Sequence, residues 1–362
     1  MSDALTKKML PMYLQEASAT MFLSGFFQSP AVNFHTSETV EIDIMRNEED
    51  VAIVVTDLTT GNRANADDLY TNKRFKPPIY QEEAPLQAYD LMKREAGQDP
   101  FQSPNYQANA VVRAFRIFQR LEMKIRRAIE LQAAQVLQTG QLTLRNQDGV
   151  ALYTVDFAPK ATHFPTAGTT WGDTGDDKIG DLEALAKVVR TDGLVTPNRL
   201  VFGLKAWSEF IDDESVQNRL DNRRMSLGEV APETRGQGGT FQGYIWLGNY
   251  RFEMWTYDGY YKSPETGAST PYVDTGSVIM LSTQTRLDLT FGAIPLIVPP
   301  EGRALPFLPP RLPNERGGMD LTTNSWVTPN GQTLMVMAGT RPMTIPTAID
   351  AYGCLDTGLV DA

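Results

Sequence analysis

The sequence predicts a mixed α+β protein, and three observations support this class. Two short runs, Val40–Ile44 and Val51–Val55, are rich in β-branched residues and have the composition of strands. Residues 105–138 contain neither proline nor glycine, and apolar side chains recur along them at helical spacing. Shorter helix and strand patterns follow between residues 177 and 283. We therefore expect strands, one long helix and a mixed segment in that order.

Composition excludes several classes of protein. The 362 residues, 41% of them hydrophobic, are enough for two or three globular units with a sizeable core. A net charge of −11 argues against a surface that binds nucleic acid all over. One cysteine, Cys354, excludes an internal disulfide and a cysteine-based zinc site. We expect no membrane span, because no run of about 18 apolar residues occurs. The start of the chain does not have the pattern of a signal peptide, so we expect synthesis in the cytoplasm.

Residues 1–45 carry many large apolar side chains, among them Phe22, Phe26 and Phe27. Two interpretations stay open. The segment is either an arm that packs on another molecule or an ordinary N-terminal helix that docks on its own core.

A long hairpin is predicted next. Val40–Ile44 and Val51–Val55 lead out to a polar tip at Thr56–Asp68, and the basic segment Tyr70–Tyr80 returns from it. Pro77 and Pro78 cannot serve in a central strand, so the returning strand lies at an edge or is exposed. A long hairpin is hard to stabilise alone, and a neighbouring molecule would support it.

The clearest element is a helix from Asn105 to about Gln138, which Gly140 ends. It would be about 50 Å long. Its basic residues recur at steps of 3, 4, 4 and 3 and form a stripe, which consists of Arg113, Arg116, Arg120, Lys124 and Arg127. Six basic and two acidic residues give this helix a charge of +4. The stripe is either a solvated, salt-bridged face or a face that meets an acidic neighbour, an acidic scaffold or a polyanion.

The remaining elements follow from local signals. A hairpin is predicted at Gln141–Phe157 with its turn at Asp148-Gly149, followed by a helix that Asp176 or Asp177 caps and that ends at Gly193. A strand at Asn198–Gly203 and a helix at Lys205–Arg224 come next. The last predicted elements are strands within Tyr244–Tyr257 and at Ser277–Thr283, a proline-rich connector at Arg303–Gly318, and a last strand pair within residues 332–353.

No catalytic, cofactor-binding or metal-ligating residues are predicted. Adjacent carboxylates such as Asp176-Asp177 and Asp212-Asp213 are typical of helix caps and solvated turns. His35 and His163 lie too far apart for a helical metal pair, and no motif for a nucleophile or a phosphate loop occurs. We expect Cys354 to be inert.

The order of elements resembles the lambda-like family of tailed-bacteriophage major capsid proteins, the capsid protein E family. The resemblance covers most of the chain from about residue 90 and is weaker over residues 1–89. Its most specific pieces are RLDNRR (Arg219–Arg224) and the final segment. The segments that carry it are Pro104–Leu144, Gly180–Val189, Arg199–Phe210, Arg219–Arg224, Gly248–Tyr261, Asp274–Arg286 and Asn324–Ala351.

The resemblance implies a Hong-Kong-phage-type capsid fold. Its expected parts are an N-terminal arm at 1–45, an extended loop at 46–85, a peripheral domain at 86–160 with the spine helix 105–138, an axial domain at 161–300, and a connector with C-terminal return strands at 301–362. It also implies a protein without enzymatic activity or cofactor, which self-assembles through pentamers and hexamers into an icosahedral head in the virion.

The implied partners are further copies of the chain, a separate scaffolding protein, a portal protein, a decoration protein, and packaged double-stranded DNA bound without sequence specificity. No membrane partner is expected. The residues predicted at subunit interfaces are Phe22, Phe26, Phe27, Lys73, Arg74, Lys76, Arg113, Arg116, Arg120, Lys124, Arg127, Arg223 and Arg224.

Three other functions compete with this one. Another phage structural subunit, such as a tail-tube protein, would be smaller and mostly β. A soluble hydrolase with an acid pair would expose a deep polar pocket. A DNA-binding protein would use the basic helix, but removing its +4 from the total of −11 leaves −15 on the rest of the chain.

Overall fold

The computed structural model of the chain describes residues 22–35, 40–45, 70–92, 106–145, 150–220, 233–235, 238–294 and 320–360. These residues form a mixed helix and sheet structure, as predicted. The helices are α1 (Ala88–Met92), α2 (Tyr106–Thr139), α3 (Lys178–Gly193), α4 (Leu204–Ile211) and α5 (Glu214–Leu220). The strands are β1 (Val40–Met45), β2 (Tyr70–Phe75), β3 (Tyr80–Gln87), β4 (Gln141–Arg145), β5 (Ala151–Asp156), β6 (Arg199–Phe202), β7 (Glu233–Arg235), β8 (Gly239–Leu247), β9 (Tyr250–Tyr257), β10 (Tyr260–Lys262), β11 (Ser269–Pro271), β12 (Ser277–Leu281), β13 (Asp288–Phe291), β14 (Thr322–Val327), β15 (Thr333–Thr340), β16 (Pro342–Ile345) and β17 (Gly353–Asp356).

The long helix α2 is the packing axis of the molecule. It has 34 residues, and its observed bounds lie within one residue of the predicted ones at each end. Gly140 ends it with a φ of +65°, a conformation that glycine adopts without strain. A Cβ at this position would also lie 2.5 Å from Cγ of Pro159. Both the backbone conformation and the close contact with Pro159 therefore favour glycine at this position.

The largest sheet among the described residues has six strands in the order β17-β12-β6-β9-β8-β7. Strands β6 and β9 run parallel, while the other neighbours are antiparallel. Side chains alternate between its two faces. One face packs under α3 and α4 through residues such as Leu200 and Met254, and the other faces α2 through Val201 and Ile279. Both faces of the central strands are buried, which explains the continuous apolar run of β12.

A three-stranded sheet, β14-β15-β3, packs on α2. Its strands β15 and β3 pair from Thr333 opposite Gln87 to Thr340 opposite Tyr80. The strand β3 thus crosses the expected domain boundary between residues 85 and 86. The C-terminal segment returns to both parts of the molecule, since β14 and β15 join this sheet and β17 joins the large one.

The two predicted hairpins are present at their bases. Strands β1 and β2 pair from Val40 opposite Phe75 to Met45 opposite Tyr70, and β2 ends before the prolines. Strands β4 and β5 pair directly after α2. The tips lie outside the described residues, and so do the predicted strand Val51–Val55, the Asp148-Gly149 turn and the proline-rich connector at Arg303–Gly318.

The prediction of a single helix at Lys205–Arg224 is wrong. The chain forms α4 and α5 instead, which are separated at Asp212 and Asp213. Oδ1 of Asp213 accepts hydrogen bonds from the backbone N–H groups of Ser215 at 2.8 Å and Val216 at 3.2 Å. This carboxylate caps a new helix, because a short acidic side chain competes with the continuing helix for its backbone donors.

Both strands of the pair predicted within residues 332–353 are present, as β15 and β16, but they do not pair with each other. Strand β15 pairs with β14 and β3, whereas β16 pairs with β13. A single residue, Arg341, separates β15 from β16, and one residue is too short to reverse the chain into a hairpin. The buried Arg341 guanidinium donates to the carbonyl oxygens of Pro77 at 3.1 Å and Ala293 at 3.0 Å, which fixes the crossing from one sheet to the next.

Candidate interaction surfaces

The segment that contains Leu23 and Ser24 docks on the later part of α2 through one buried carboxylate. Oε1 of Glu130 accepts hydrogen bonds from the backbone N–H of Leu23 and the hydroxyl of Tyr257, both at 2.7 Å. Oε2 accepts one from the backbone N–H of Ser24 at 2.9 Å. Burying a carboxylate is costly unless donors surround it, and here three donors do. Burial, together with the Glu130 charge, raises the pKa of Tyr257, so its hydroxyl remains a donor.

Aromatic packing continues this docking onto the large sheet. The ring of Phe22 lies 5.3 Å from that of Tyr257 and 5.4 Å from that of Trp255. The Arg199 guanidinium lies 5.1 Å from the ring of Phe26, a cation–π distance. Phe22 and Phe27 are buried and Phe26 is half-buried. For residues 22–27 this geometry favours docking on the chain's own core, but through a single 3-10 turn at Ser24–Phe26 rather than the expected helix.

Three glutamines extend the polar contacts of α2 beyond Glu130. The amide nitrogen of Gln132 donates to the Tyr80 hydroxyl at 2.9 Å. Gln138 donates to the carbonyl of Tyr272 and accepts from the N–H of Asp274, both at 2.9 Å. The third, Gln135, accepts from the N–H of Thr143 at 3.2 Å. These side chains connect α2 to β3, β4 and the segment before β12.

Sequence reasoning missed this role. One signal was present, since residues 128–139 contain Glu and Gln but no Lys or Arg, unlike the preceding part of the helix. It indicated a change of environment, but not which groups would meet these side chains.

The structure divides the basic stripe of α2 into two kinds of position. Arg113 donates to the carbonyl oxygen of Asp90 in α1, and the Lys124 ammonium contacts the Glu82 carboxylate of β3 at 2.7 Å. The remaining three members, Arg116, Arg120 and Arg127, are exposed. The salt-bridged interpretation therefore describes Lys124, whereas the Arg113 guanidinium bonds to a neutral carbonyl. The interpretation as a face that meets an acidic partner stays a prediction for the exposed arginines.

The other predicted interface residues are less completely placed. Strand β2 holds Lys73 opposite Ile42 and Arg74 opposite Glu41. Lys76 is exposed, and its backbone N–H donates to the hydroxyl of Tyr153 at 3.2 Å. Arg223 and Arg224 lie outside the described residues.

An exposed aromatic strip on β8 and β9 was not singled out from the sequence. Tyr244 and Trp246 are 43% and 53% exposed, and the Arg251 guanidinium lies 4.2 Å from the Tyr244 ring. Trp246 lies directly opposite Arg251 in the register. We call these three residues the β8 strip. Alternation with the buried Ile245 and Leu247 was the signal that placed Tyr244 and Trp246 on the other face.

Three of the polar residues considered in the sequence analysis, Asp177, Cys354 and His163, have structural surroundings. Asp177 caps α3 by accepting from the N–H of Gly180 at 2.9 Å, as predicted. Burial raises the pKa of the Cys354 thiol to about 12, in agreement with an inert role. His163 is buried, with Nδ1 at 2.9 Å from the carbonyl of Tyr352 and Nε2 at 3.3 Å from Asp192. Within the described ranges, no group of three His, Cys, Asp or Glu residues is arranged to hold a metal ion.

Comparison with known proteins decides between the competing functions. The family model described as phage major capsid protein E matches residues 14–352. The chain belongs to this family. No curated protein matches it. The described residues include no helix long and apolar enough to cross a membrane.

Two solved structures support the fold. A protein assigned as the capsid protein of an E. coli CFT073 prophage is 16% identical, with a TM-score of 0.65 over 96% of this chain and 98% of its own. A phage-related protein from Bordetella bronchiseptica RB50 is 13% identical, with a TM-score of 0.52 over 98% of both chains. The predicted Hong-Kong-phage-type capsid fold is thereby confirmed.

The phage major capsid protein E family makes this chain a structural protein of the virion, and its role is that of a major capsid protein. The family match favours this assignment over the tail-tube, hydrolase and DNA-binding alternatives. Self-assembly into a shell follows from the family.

Proposed function

We propose that this major capsid protein assembles through pentamers and hexamers into an icosahedral head that encloses double-stranded DNA. The observation that carries the proposal is the exposed basic face of α2, formed by Arg116, Arg120 and Arg127. The opposite side of the same helix is fixed in the core by Ile125 and Ile129. A rigid helix that presents such a face offers the same contact in every copy of the chain.

The expected domains form part of the proposal. The β1–β2 hairpin supports an extended loop at 46–85, and α2 supports a peripheral domain at 86–160. Most of the six-stranded sheet lies within residues 161–300, the proposed axial domain. The C-terminal strands connect these two parts.

Partners of the shell are proposed on chemical grounds. The chain is acidic overall, which suits a container that does not bind its DNA tightly. The basic face of α2 is a local exception to this charge. We assign it to an acidic partner, either a separate scaffolding protein or acidic residues of a neighbouring copy. A portal protein and a decoration protein would complete the head, which has no enzymatic role of its own.

The first experiment expresses the chain alone and together with the scaffolding protein of its phage. Negative-stain microscopy and light scattering measure the assembly state. We expect closed shells, tubes, or rings of five or six copies, because many weak repeated contacts add up in a lattice. A monodisperse monomer or dimer under both conditions would contradict the proposal.

A charge-reversed variant tests the basic face directly. We expect Arg116→Glu with Arg120→Glu to abolish normal shells, and circular dichroism verifies that the variant folds. The matched control is Lys187→Glu, because Lys187 is an exposed basic residue of α3 and lies outside the stripe. Normal shells from the double variant would remove the basic face from the assembly mechanism.

A further inference from the structure

The β8 strip points away from the helices that cover the large sheet. Ile245 and Leu247 face α3 and α5, so the alternating Tyr244 and Trp246 lie on the opposite face. The arm and α2 cover the inner part of that face around Trp255. Its outer part, the β8 strip, is exposed in the described structure.

The composition of the β8 strip is that of a protein-binding surface. Tryptophan, tyrosine and arginine are the residue types that contribute most to binding energy at interfaces. All three occur here within one patch, and the Arg251 guanidinium is already ordered over the Tyr244 ring. An exposed Trp beside an exposed Tyr is unusual for a surface that meets only water.

A complementary surface lies on the other side of the same sheet. Leu204, Ser208 and Ile211 follow one another at steps of four and three residues along α4, so they share its outer face. Leu204 and Ser208 are exposed and Ile211 is half-buried. The exposed carboxylates of Asp212 and Glu214 follow at the end of this helix. We call Leu204, Ser208, Ile211, Asp212 and Glu214 the α4 surface.

The α4 surface is apolar at its start and acidic at its end. The neighbouring acid Asp213 is engaged within the chain, since it contacts the Lys178 ammonium at 3.3 Å and caps α5. Asp212 and Glu214 are left facing outward. The apolar part suits Trp246 and Tyr244, and the two carboxylates suit the charge of Arg251.

We propose that the β8 strip of one copy docks on the α4 surface of the next copy. The two surfaces differ and lie on opposite faces of one sheet, so the contact is head-to-tail. Such a contact closes into a ring when the rotation between copies fits. The occupant of the β8 strip is therefore a second copy of this chain. This inference rests on the proposed assembly and names the contact that closes its rings.

The first test removes the aromatic side chains. We expect Tyr244→Ser with Trp246→Ser to lower the fraction of assembled protein about tenfold or more under the wild-type assembly conditions. The matched control is Tyr260→Ser, because Tyr260 is 46% exposed but lies on β10, outside both surfaces. Circular dichroism and thermal melting verify that each variant folds.

The second test exchanges the charges. We expect Arg251→Glu alone and Asp212→Arg with Glu214→Arg to reduce assembly, because each places like charges against each other. One chain that carries all three changes regains opposite charges at every contact. We expect this triple variant to recover most of the wild-type assembly.

The outcomes separate this inference from the proposed function. If the wild-type chain forms no assembly, the proposed function fails and the inference fails with it. If the serine double variant assembles like the wild type, only the inference is overturned. Loss of assembly without recovery in the triple variant assigns the β8 strip to another occupant, such as residues 1–21 or a different protein, and also overturns it.

Discussion

The two parts of α2 use polar residues in opposite ways. Its earlier part carries Arg120 and Arg127, which are exposed. Its later part carries Glu130 and Gln132, which are buried and hydrogen-bonded to other segments. Both parts bury apolar side chains on the same core. The difference lies in burial, since Arg120 and Arg127 are exposed, whereas Glu130 and Gln132 are enclosed by backbone and side-chain groups.

This contrast separates the fold from the assembly surface along one helix. A buried carboxylate that satisfies three donors cannot be removed without leaving those donors unsatisfied. An exposed arginine is hydrated in the isolated chain, so its removal leaves no unsatisfied group behind. Changes at Glu130 and Gln132 should therefore act on stability, whereas changes at Arg120 and Arg127 should act on association.

Glu130→Ala should have the largest effect on stability. It leaves the N–H groups of Leu23 and Ser24 and the hydroxyl of Tyr257 without their acceptor. We expect a loss of about 4 kcal/mol in the free energy of unfolding, as for other broken buried networks. Urea denaturation of the unassembled chain measures it. Glu130→Gln should lose less, because its amide oxygen still accepts.

The control for Glu130→Ala is Arg127→Ala, one turn earlier on the exposed side of the same helix. We expect the control to change the free energy of unfolding by no more than about 0.5 kcal/mol. Equal losses from the two variants would show that the buried network does not distinguish the two parts of α2.

Gly140→Ala tests how the later part of α2 ends. The positive φ and the contact with Pro159 both oppose a Cβ, so we expect a loss of about 2–3 kcal/mol in the free energy of unfolding. Gly175→Ala is the control, because Gly175 also has a positive φ but a Cβ added there would meet no atom within 4 Å. A loss no larger than in the control would mean that backbone conformation alone explains the effect.

Local signals predicted the elements that depend on nearby residues. The bounds of α2 followed from an uninterrupted helical segment ended by Gly140, and the start of α3 followed from the cap at Asp177. The helix break at Asp213 was missed, because the same residue type is compatible with a helix surface. Its capping role depends on the backbone turning there, which neighbouring residues alone do not decide.

Contacts between distant segments were beyond the sequence patterns. Strand β3 pairs with β15 across about 250 residues of chain, and no local pattern carries that register. The role of Glu130 depends on the backbone N–H groups of Leu23 and Ser24, which every sequence supplies equally. The sequence showed an acid in a helix, and only the fold showed which donors reach it.

The pH dependence of stability distinguishes the capping carboxylate of Asp213 from exposed carboxylates such as that of Asp212. Partial burial acts to raise the pKa of Asp213, but hydrogen bonds from the hydroxyl and N–H of Ser215 and the N–H of Val216 lower it below its ordinary value of 3.8. A carboxyl whose pKa is lowered by folding stabilises the fold above its unfolded pKa. This contribution is lost as the pH falls through the lower, folded value.

Asp213→Asn should therefore weaken the dependence of the melting temperature on pH below about pH 4. Thermal melts between pH 2.5 and 5 measure this slope, and Asp212→Asn is the neighbouring control. If both the Asp213 variant and the control show the wild-type slope of melting temperature against pH, the cap does not contribute to stability in acid.

The smallest effect on stability is expected at the basic face itself. Arg120→Ala with Arg127→Ala removes two exposed guanidinium groups, and we expect the free energy of unfolding to change by about 0.5 kcal/mol or less per site. Assembly of this variant should nevertheless fall, and it should depend less on salt than wild-type assembly, because fewer charges take part in the contact. Light scattering across a series of sodium chloride concentrations measures this dependence. A loss of about 2 kcal/mol or more with unchanged assembly would place these arginines in the fold, in the same class as Glu130, and the two parts of α2 would no longer differ.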